Sequence, residues 1–368
     1  MNKTIYLECR KIMKTFIKKN YWQTFTSADL FYIAEMRKKY LFTFVEQFFG
    51  DSFGCQLFFN ANGFNYVHDI LTTSNENSVS ILDCDSICAA FISKSDLKKE
   101  EIDFLRKNNI RISAENNLIV YRFASGYGQR IASDHDLEIF QMVLEYMASI
   151  ISNEYNDIVS NFKESNATVA IMDVKNMQYS IIYRPLPYLE TKVRELKGNV
   201  EFANEFKDSS YLNDDCYLFA SYLPIVIKET NIRPLVLYFY FPKTKHHYFK
   251  YIMDEPKEYK NCIFGILYDV FTEIGVPTRM LFNNRIIYAA VKKTIDLMNV
   301  ENVFLRENED VDLNINTFLS KIYQNSDDEF IEGEKCVRLL MDTITLTLNE
   351  ITDDDLDSFE DTESEFVS

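Results

Sequence analysis

The segment 233–306 constrains the fold more than any other part of the chain, because strand-like and helix-like patterns alternate within it. It opens with an uninterrupted apolar run at 234–241, which has the length of a strand buried on both faces. Apolar residues then recur at helical spacing over 257–274, and Gly275 and Pro277 follow in the order expected at a helix C-terminus. The pattern therefore predicts a buried strand followed by a helix.

The second half of this segment repeats the alternation. Residues 278–282 predict a strand, 285–298 a helix and 303–305 a short third strand. The whole run 234–306 is thus predicted to form a βαβαβ unit. This unit defines an architecture, and it does not by itself indicate what the protein does.

The sequence before this segment predicts further helices and strands. A basic amphipathic helix is expected at 3–19, a second helix at 37–49 and a strand at 54–59. A long helix is expected at 134–161, because apolar residues at helical spacing follow a capping residue there. The N-terminal part of the chain is therefore predicted to mix both kinds of element.

The length of 368 residues exceeds that of one typical domain, which is roughly 100–200 residues. We predict an N-terminal α+β domain at 1–161 and a second α/β domain at 162–345 that contains the βαβαβ unit. A disordered acidic tail is predicted at 346–368. The expected fold class is α+β to mixed α/β with two domains.

The end of the chain is strongly acidic. The formal net charge is −17, and the segment 351–368 contributes eight carboxylates and no lysine or arginine. Such a block is typically solvated and self-repelling, so a tail that merely aids solubility is one interpretation. The other is an acidic and aromatic peptide that docks into a basic groove on a protein partner. The candidate partner-binding residues are Asp353, Asp354, Asp355, Asp357, Phe359, Glu360, Asp361 and Phe366.

The composition also limits the kinds of partner and the compartment. Direct nucleic-acid binding is disfavoured, because it depends on neutralising phosphates with basic side chains. No apolar run approaches the roughly 20 residues that cross a bilayer, and Glu8 and Arg10 interrupt any secretion signal. Seven scattered cysteines without a CxxC pair indicate a reduced, cytoplasmic protein. Homo-oligomerisation stays open.

The sequence assigns no catalytic, cofactor-binding or metal-binding residue. Cys84 and Cys88 are the closest cysteines, but the four histidines supply no second pair at metal-ligand spacing. Small buried cysteines in an apolar segment are the simpler interpretation. No serine or cysteine lies in a recognisable nucleophile motif with a histidine base. We therefore expect neither a cofactor nor a metal.

Two short segments have alternative interpretations. Gly126 and Gly128, with Arg122 and Arg130 beside them, could form an anion-binding loop before a helix. A plain turn is the simpler interpretation, because a third glycine and a phosphate-binding lysine are missing. The segment 242–248 contains two lysines and two histidines and predicts an exposed basic turn. That turn could contact a phosphate or an acidic partner, or it could simply be solvated.

Several motifs resemble those of an uncharacterised family of bacterial two-domain proteins. These motifs are Trp22, Asp29-Leu-Phe31, the segment 53–63, Gly126-Tyr127, Arg233-Pro234 and the segment 274–280. The resemblance implies an arrangement of two domains and no reaction, because the family itself is of unknown function. The acidic tail lies outside it.

The helix, the Gly-Val-Pro motif and the strand over 257–282 are also similar to the middle of a ribonuclease H-like or integrase-type fold. The resemblance implies carboxylates at fixed strand positions, where such enzymes hold two divalent cations. The strand at 234–241 has none, and Asn283 and Asn284 stand where an acid is expected. This half of the chain therefore looks catalytically empty. The remaining candidate acids are Asp173, Asp254 and Glu307.

Three classes of function follow from these patterns. The favoured one is a non-catalytic interaction or regulatory protein that engages a protein partner through an acidic surface or tail. The alternatives are a divalent-metal-dependent, nuclease-like enzyme with a degenerate ribonuclease H-like site, and a structural or assembly subunit. The first predicts binding that weakens with salt, and the second predicts activity that depends on Asp173 or Asp254.

Overall fold

The computed structural model describes most of the chain. The described residues are 2–35, 38–45, 53–60, 63–64, 66–67, 84–164, 168–175, 178–185, 195–207, 209, 211–305, 309–326 and 329–364. Only the backbone is described at 35, 38, 163–164, 168–175, 178–185, 309–313 and 352–364. The first of two compact units comprises Met1–Ser125 and Gln129–Thr191, and the second comprises Gly126–Gly128 and Lys192–Ser368.

The first unit is built on an eight-stranded sheet with the strand order β6-β5-β4-β3-β2-β1-β7-β8. All neighbouring strands are antiparallel except β1 and β7, which run parallel. The strands are β1 Leu30–Glu35, β2 Lys38–Val45, β3 Gly54–Phe59, β4 Ser86–Ile92, β5 Asn117–Phe123, β6 Arg130–Ile131, β7 Thr168–Lys175 and β8 Gln178–Pro185.

The helices of the first unit are α1 Lys3–Lys18, α2 Tyr21–Thr24, α3 Lys99–Lys107 and α4 Asp134–Glu164. The apolar stripe of α1 packs into the core as its helical spacing predicts, with Tyr6, Cys9, Met13 and Phe16 buried. Inside the same core, the rings of Phe25, Phe31 and Phe44 pack with centroids 5.4–6.2 Å apart. Large aromatic side chains therefore provide much of the buried apolar surface that stabilises this unit.

The helix predicted at 37–49 is wrong, because β2 occupies Lys38–Val45. Tyr40, Phe42 and Phe44 belong to the main core of the unit, whereas Leu41 belongs to a separate apolar cluster. Successive side chains thus alternate between two apolar environments, which is the two-residue period of a strand. Because both environments are apolar, five of the six residues at 40–45 are hydrophobic and the sequence shows no visible alternation.

The domain boundary predicted after residue 161 also needs correction. Strand β7 pairs in parallel with β1, with Phe31 opposite Ala170, and β8 pairs with β7. The sheet of the first unit therefore extends through both strands, and the division falls after Thr191. The cause is a long-range pairing that a local sequence pattern does not reveal.

The second unit contains a five-stranded mixed sheet with the order β12-β11-β9-β13-β14. Strand β9 is antiparallel to β11 and parallel to β13, and β13 is parallel to β14. The strands are β9 Tyr211–Tyr222, β10 Val226–Ile227, β11 Leu235–Phe241, β12 His246–Ile252, β13 Val276–Phe282, β14 Glu301–Phe304 and β15 Phe330–Ile331. The short strands β10 and β15 pair with each other.

The helices of the second unit confirm the predicted alternation. They are α5 Val200–Glu205, α6 Tyr259–Glu273, α7 Arg285–Leu297, α8 Glu309–Asn325 and α9 Gly333–Ser364, with a 3-10 turn at Pro256–Glu258. One correction applies to the βαβαβ unit. The strand before α6 is β12, which forms a hairpin with β11, and the strand between β11 and β13 in the sheet is β9. Strand β9, at Tyr211–Tyr222, was not predicted from the sequence.

The acidic segment is not separate from the fold at its predicted start. Residue 346 lies inside α9, and Thr347, one residue later, is 1% exposed. The backbone is helical as far as Ser364, in contrast to the disordered tail predicted at 346–368. No helix within the described residues is long and apolar enough to span a membrane.

Candidate functional site

The carboxyl edge of the second sheet is where the ribonuclease H-like resemblance calls for acidic side chains. Strands β9 and β13 are parallel, with Phe282 opposite Leu218, so their carboxyl ends lie side by side. The Oδ1 atom of Asn283 accepts a hydrogen bond from the backbone N–H of Ala220 at 2.9 Å. The amide that replaces the expected acid therefore joins the two strands.

Asn284 has an equally structural role. Its Oδ1 atom accepts hydrogen bonds from the N–H groups of Ile286 at 3.0 Å and Ile287 at 3.1 Å. This is an N-cap, which satisfies two donors that the first turn of α7 would otherwise leave without partners. Both asparagines singled out in the sequence thus hold the backbone in place.

Of the three remaining candidate acids, only Asp254 has a side chain that the structure describes. Asp254 accepts a hydrogen bond from the thiol of Cys262 at 3.2 Å, and burial raises the pKa of that thiol to about 11. Asp173 lies on β7 in the first unit, where only its backbone is described, and Glu307 lies outside the described residues. In the described part of the chain, no group of three or more histidine, cysteine or carboxylate side chains could hold a metal ion.

The cysteines examined for metal binding are buried in the core of the first unit. Cys84 is 5% exposed and Cys88 is fully buried on β4. Burial raises the pKa of the Cys88 thiol well above its usual value. Because a metal binds the thiolate rather than the thiol, this environment favours a packed cysteine over a ligand.

The arginine before the Gly126-Tyr-Gly128 turn is already neutralised. Arg122 is 8% exposed, its Nη2 atom lies 2.7 Å from Asp85 Oδ1, and its Nε atom lies 3.5 Å from Asp136 Oδ1. Its guanidinium also stacks on the ring of Phe59 at 4.3 Å. Asp136 also contacts the exposed Arg130, at 4.0 Å. Arg122 is therefore committed to the fold and does not offer a free charge to an anion.

The glycines of that turn pack within the second unit. The N–H of Gly128 donates to the backbone oxygen of Asn231 at 3.0 Å, and Gly126 accepts from the N–H of Arg233 at 2.9 Å. Gly126 has a φ of 76°, and a Cβ atom there would lie 2.8 Å from a side-chain atom of Pro256. The positive φ and this close approach account for the glycine, and the geometry is that of a turn.

The basic turn at 242–248 is held from beneath by a buried carboxylate. Asp214 is 1% exposed and accepts hydrogen bonds from the N–H groups of Lys243 at 3.1 Å and Thr244 at 3.0 Å. The turn exposes Lys243, Lys245 and His246, as predicted. In contrast, His247 is only half exposed, and its Nδ1 atom lies 2.6 Å from the hydroxyl of Tyr238.

The net charge is concentrated near the C-terminus. Residues 301–368 contain 20 carboxylates and four lysines or arginines, so they account for −16 of the net −17. In the structure this segment includes β14, α8 and α9. Helices α8 and α9 pack together, and an ion pair links Lys321 to Glu350. The rest of the chain is therefore almost neutral, and the electrostatic character of the protein resides in this segment.

Helix α9 has a buried face and, beside it, a partly exposed apolar face. The buried one consists of Cys336, Leu340, Thr343 and Thr347, and α8 has a buried stripe of its own at Ile315, Phe318 and Ile322. Phe318 stacks on Phe249 of β12 with ring centroids 5.1 Å apart, which fixes α8 to the sheet. The other face of α9 contains Val337, Met341, Ile344 and Leu348.

This second face was missed in the sequence analysis, although its spacing of four, three and four residues marks one side of a helix. The predicted partner-binding residues 353–361 continue along the same helix, and their side chains lie outside the described part. Phe366 lies beyond the described residues altogether. The structure thus joins the predicted acidic segment to an apolar helix face.

Comparisons with known proteins identify a domain and no activity. No protein of curated function matches the sequence. One similar solved structure is described as "CryoEM structure of simian T-cell lymphotropic virus intasome in complex with PP2A regulatory subunit B56 gamma", with 11% identity and a TM-score of 0.27. The match covers 36% of this chain and 47% of that chain. A similarity of this size supports no conclusion about fold or function.

The family comparison concerns the N-terminal half of the chain. The match begins at residue 7 in α1 and ends at residue 171 in β7, so apart from Gly126–Gly128 it lies within the first unit, and it stops before β8. It agrees with the resemblance to an uncharacterised family, and it does not extend to the second unit. Residues 7–171 of this chain are similar to the family described as "Domain of unknown function (DUF7309)".

Proposed function

We propose that this protein is a non-catalytic interaction protein whose acidic C-terminal segment engages a basic protein partner. The observation that carries the proposal is the concentration of −16 of the net −17 charge in residues 301–368. Unbalanced surface charge produces a field that steers an oppositely charged partner and repels a like-charged one. The chemistry therefore favours a surface rich in lysine or arginine.

The state of the second sheet supports a binding role over catalysis. The run from β12 through α6, β13 and α7 to β14 agrees with the alternation that prompted the ribonuclease H-like comparison. At the carboxyl edge, however, Asn283 accepts a hydrogen bond from Ala220 and Asn284 caps α7. A neutral amide engaged with the backbone cannot supply the charge that two divalent cations require. We therefore propose that this unit acts as a scaffold that presents the acidic segment.

The proposal is tested by comparing three forms of the protein in a pull-down from a lysate of the source organism. The forms are the full chain, a chain ending after Glu350, and a full-length variant in which the eight carboxylates of 351–368 are replaced by amides. The last form keeps the length and both phenylalanines, so it separates charge from mere truncation.

The expected result is a partner that the full chain retains at low salt and that both altered forms lose. Retention should also weaken at higher salt, because exposed charges beyond the Debye length, about 8 Å at physiological ionic strength, are screened. If all three forms retain the same partner equally, the acidic segment is not the docking element.

The nuclease alternative is tested on the same preparation. Single-stranded and duplex DNA and RNA are incubated with the full chain and Mg²⁺ or Mn²⁺. The proposal predicts no cleavage above the level of an Asp173→Ala, Asp254→Ala double variant. Cleavage that this variant loses would replace the interaction role with a metal-dependent reaction.

A further inference from the structure

We infer that the outer face of α9 docks a basic amphipathic helix of the partner, with an apolar stripe at its centre. This inference rests on the proposed function and specifies the chemistry of the contact. The stripe consists of Val337, Met341, Ile344 and Leu348, which recur at the spacing of one helix face. Recognition of this kind is a helix packed against a complementary helical face.

The exposure of the stripe distinguishes it from the buried face of the same helix. Val337 is 37% exposed and Met341 is 56% exposed, and Ile344 and Leu348 are partly exposed. In contrast, Cys336 and Leu340 on the other face are fully buried. Isolated exposed apolar residues are ordinary on protein surfaces, but a contiguous row on one helix indicates an interaction surface.

The charges around the stripe indicate which occupant fits. Residues 333–368 contain 11 carboxylates, and their only cations are Lys335 and Arg338. Exposed Glu332 and Glu334 lie at the start of α9, and Glu229 accepts a hydrogen bond from the N–H of Gly333 at 3.2 Å. The acidic segment follows the stripe. An apolar centre between charged ends has the arrangement of an interface core with a polar rim.

A second copy of this chain fits the stripe poorly. Two such helices would bring two segments of −16 charge together, and the repulsion would oppose the gain from burying the apolar residues. A partner helix with leucine-like residues on one side and lysine or arginine on the flanks satisfies both features. It buries the stripe and neutralises the carboxylates, which is the complementarity that specific interfaces show.

The test uses a synthetic peptide of about 21 residues, a length at which an amphipathic sequence forms a helix readily on binding. Its leucines follow the a and d positions of three heptads, and its remaining positions are mostly lysine. Binding of the labelled peptide to the full chain is measured by fluorescence anisotropy at low salt. A second peptide keeps the lysines and replaces the leucines by serine.

The decisive variant is Val337→Ser with Met341→Ser in the full chain. A matched control, Thr345→Ser with Asn349→Ser, changes exposed residues of the same helix outside the stripe. Circular dichroism confirms that each variant folds. We expect the first variant to weaken binding of the leucine peptide roughly tenfold or more, since it removes two apolar contacts. The control should bind like the unmodified chain, and the serine peptide should bind weakly to all forms.

Each alternative outcome has a distinct meaning. If the stripe variant and the control bind the leucine peptide equally, the inference is overturned. The proposed function still stands in that case if the variant with amides at the eight carboxylates of 351–368 no longer binds the peptide. If no form binds either basic peptide at low salt, the inference and the proposed function both fail. If the full chain is a dimer that the stripe variant converts to a monomer, a second copy covers the stripe and the inference is wrong.

Discussion

The buried charges around Arg122 in the first unit and the charges of the C-terminal segment differ in how they are balanced. Arg122 lies between Asp85 and Asp136, so opposite charges meet inside the fold. Residues 301–368 have 20 carboxylates and four cations, so most of their charge has no counterpart nearby in the sequence. Balanced, buried charge serves the structure, whereas unbalanced charge at a surface acts on other molecules.

The largest effect that tests this comparison is the loss of the buried cation. Arg122→Met should lower the free energy of unfolding by about 3–5 kcal/mol, because it removes the buried cation that Asp85 and Asp136 share. Chemical denaturation followed by circular dichroism measures this change. The matched control is Arg130→Met: the Arg130 side chain is 53% exposed and contacts the same Asp136 at 4.0 Å.

Arg130→Met should lower the free energy of unfolding by less than about 1 kcal/mol, since exposed ion pairs contribute little to stability. Equal effects of the two substitutions would show that burial does not decide the role of these charges, and the comparison would fail.

A second buried carboxylate extends the comparison to the second unit. Asp214→Ala should lower the free energy of unfolding by about 2–3 kcal/mol, because it removes the acceptor for two backbone N–H groups of the β11–β12 turn. Asp215→Ala is the control, since its partner Arg279 is 41% exposed at the side chain and the pair is accessible to solvent. Its expected cost is about 1 kcal/mol or less. If Asp215→Ala lowered the free energy of unfolding more than Asp214→Ala does, the exposed carboxylate and not the buried one would stabilise the fold.

A smaller effect on stability is expected at alkaline pH, where a buried thiol begins to ionise. Burial raises the pKa of Cys336 from 9.0 to about 11, so its protonated form is favoured in the folded state. The contribution to stability is therefore complete below pH 9 and is lost as the pH rises toward 11. Between pH 8 and about pH 10, the unmodified chain should lose more stability than Cys336→Ala does. If the free energy of unfolding fell equally with pH in both proteins, ionisation of Cys336 would not contribute to the pH dependence of stability.

The smallest effect on stability is expected at the acidic segment. Replacing the eight carboxylates of 351–368 by amides should change the free energy of unfolding by less than about 0.5 kcal/mol. The reason is that the account assigns these charges to partner binding and not to the fold, in contrast to Arg122. A loss of several kcal/mol in denaturation experiments would instead place these carboxylates in structural contacts.

The sequence predicts local elements better than it predicts long-range pairing. Helices α1, α4, α6 and α7 follow from their apolar spacing, and β11 follows from its continuous apolar run. Strand β2 was mistaken for a helix because Tyr40, Phe42 and Phe44 face one apolar core and Leu41, between them, faces another. The addition of β7 and β8 to the first sheet depends on pairing with β1, which no local pattern encodes.

The candidate site, like the fold, was predictable from the sequence only where it depends on local patterns. The acidic segment and the asparagines at 283 and 284 are visible in the sequence, and the structure gives each asparagine a backbone partner. The burial of Arg122 and Asp214 could not be predicted, because their partners lie 14 to 37 residues away in the chain. The stripe on α9 was within reach, since its spacing is visible once residues 333–351 are treated as one helix.

The most direct test of the central claim is retention of a partner from lysate by the full chain and by the variant with amides at the eight carboxylates of 351–368. The account predicts that the full chain retains a basic protein at low salt, that higher salt releases it, and that the variant fails to retain it. Equal retention by both forms at both salt concentrations would contradict the claim that the acidic C-terminal segment is the docking element.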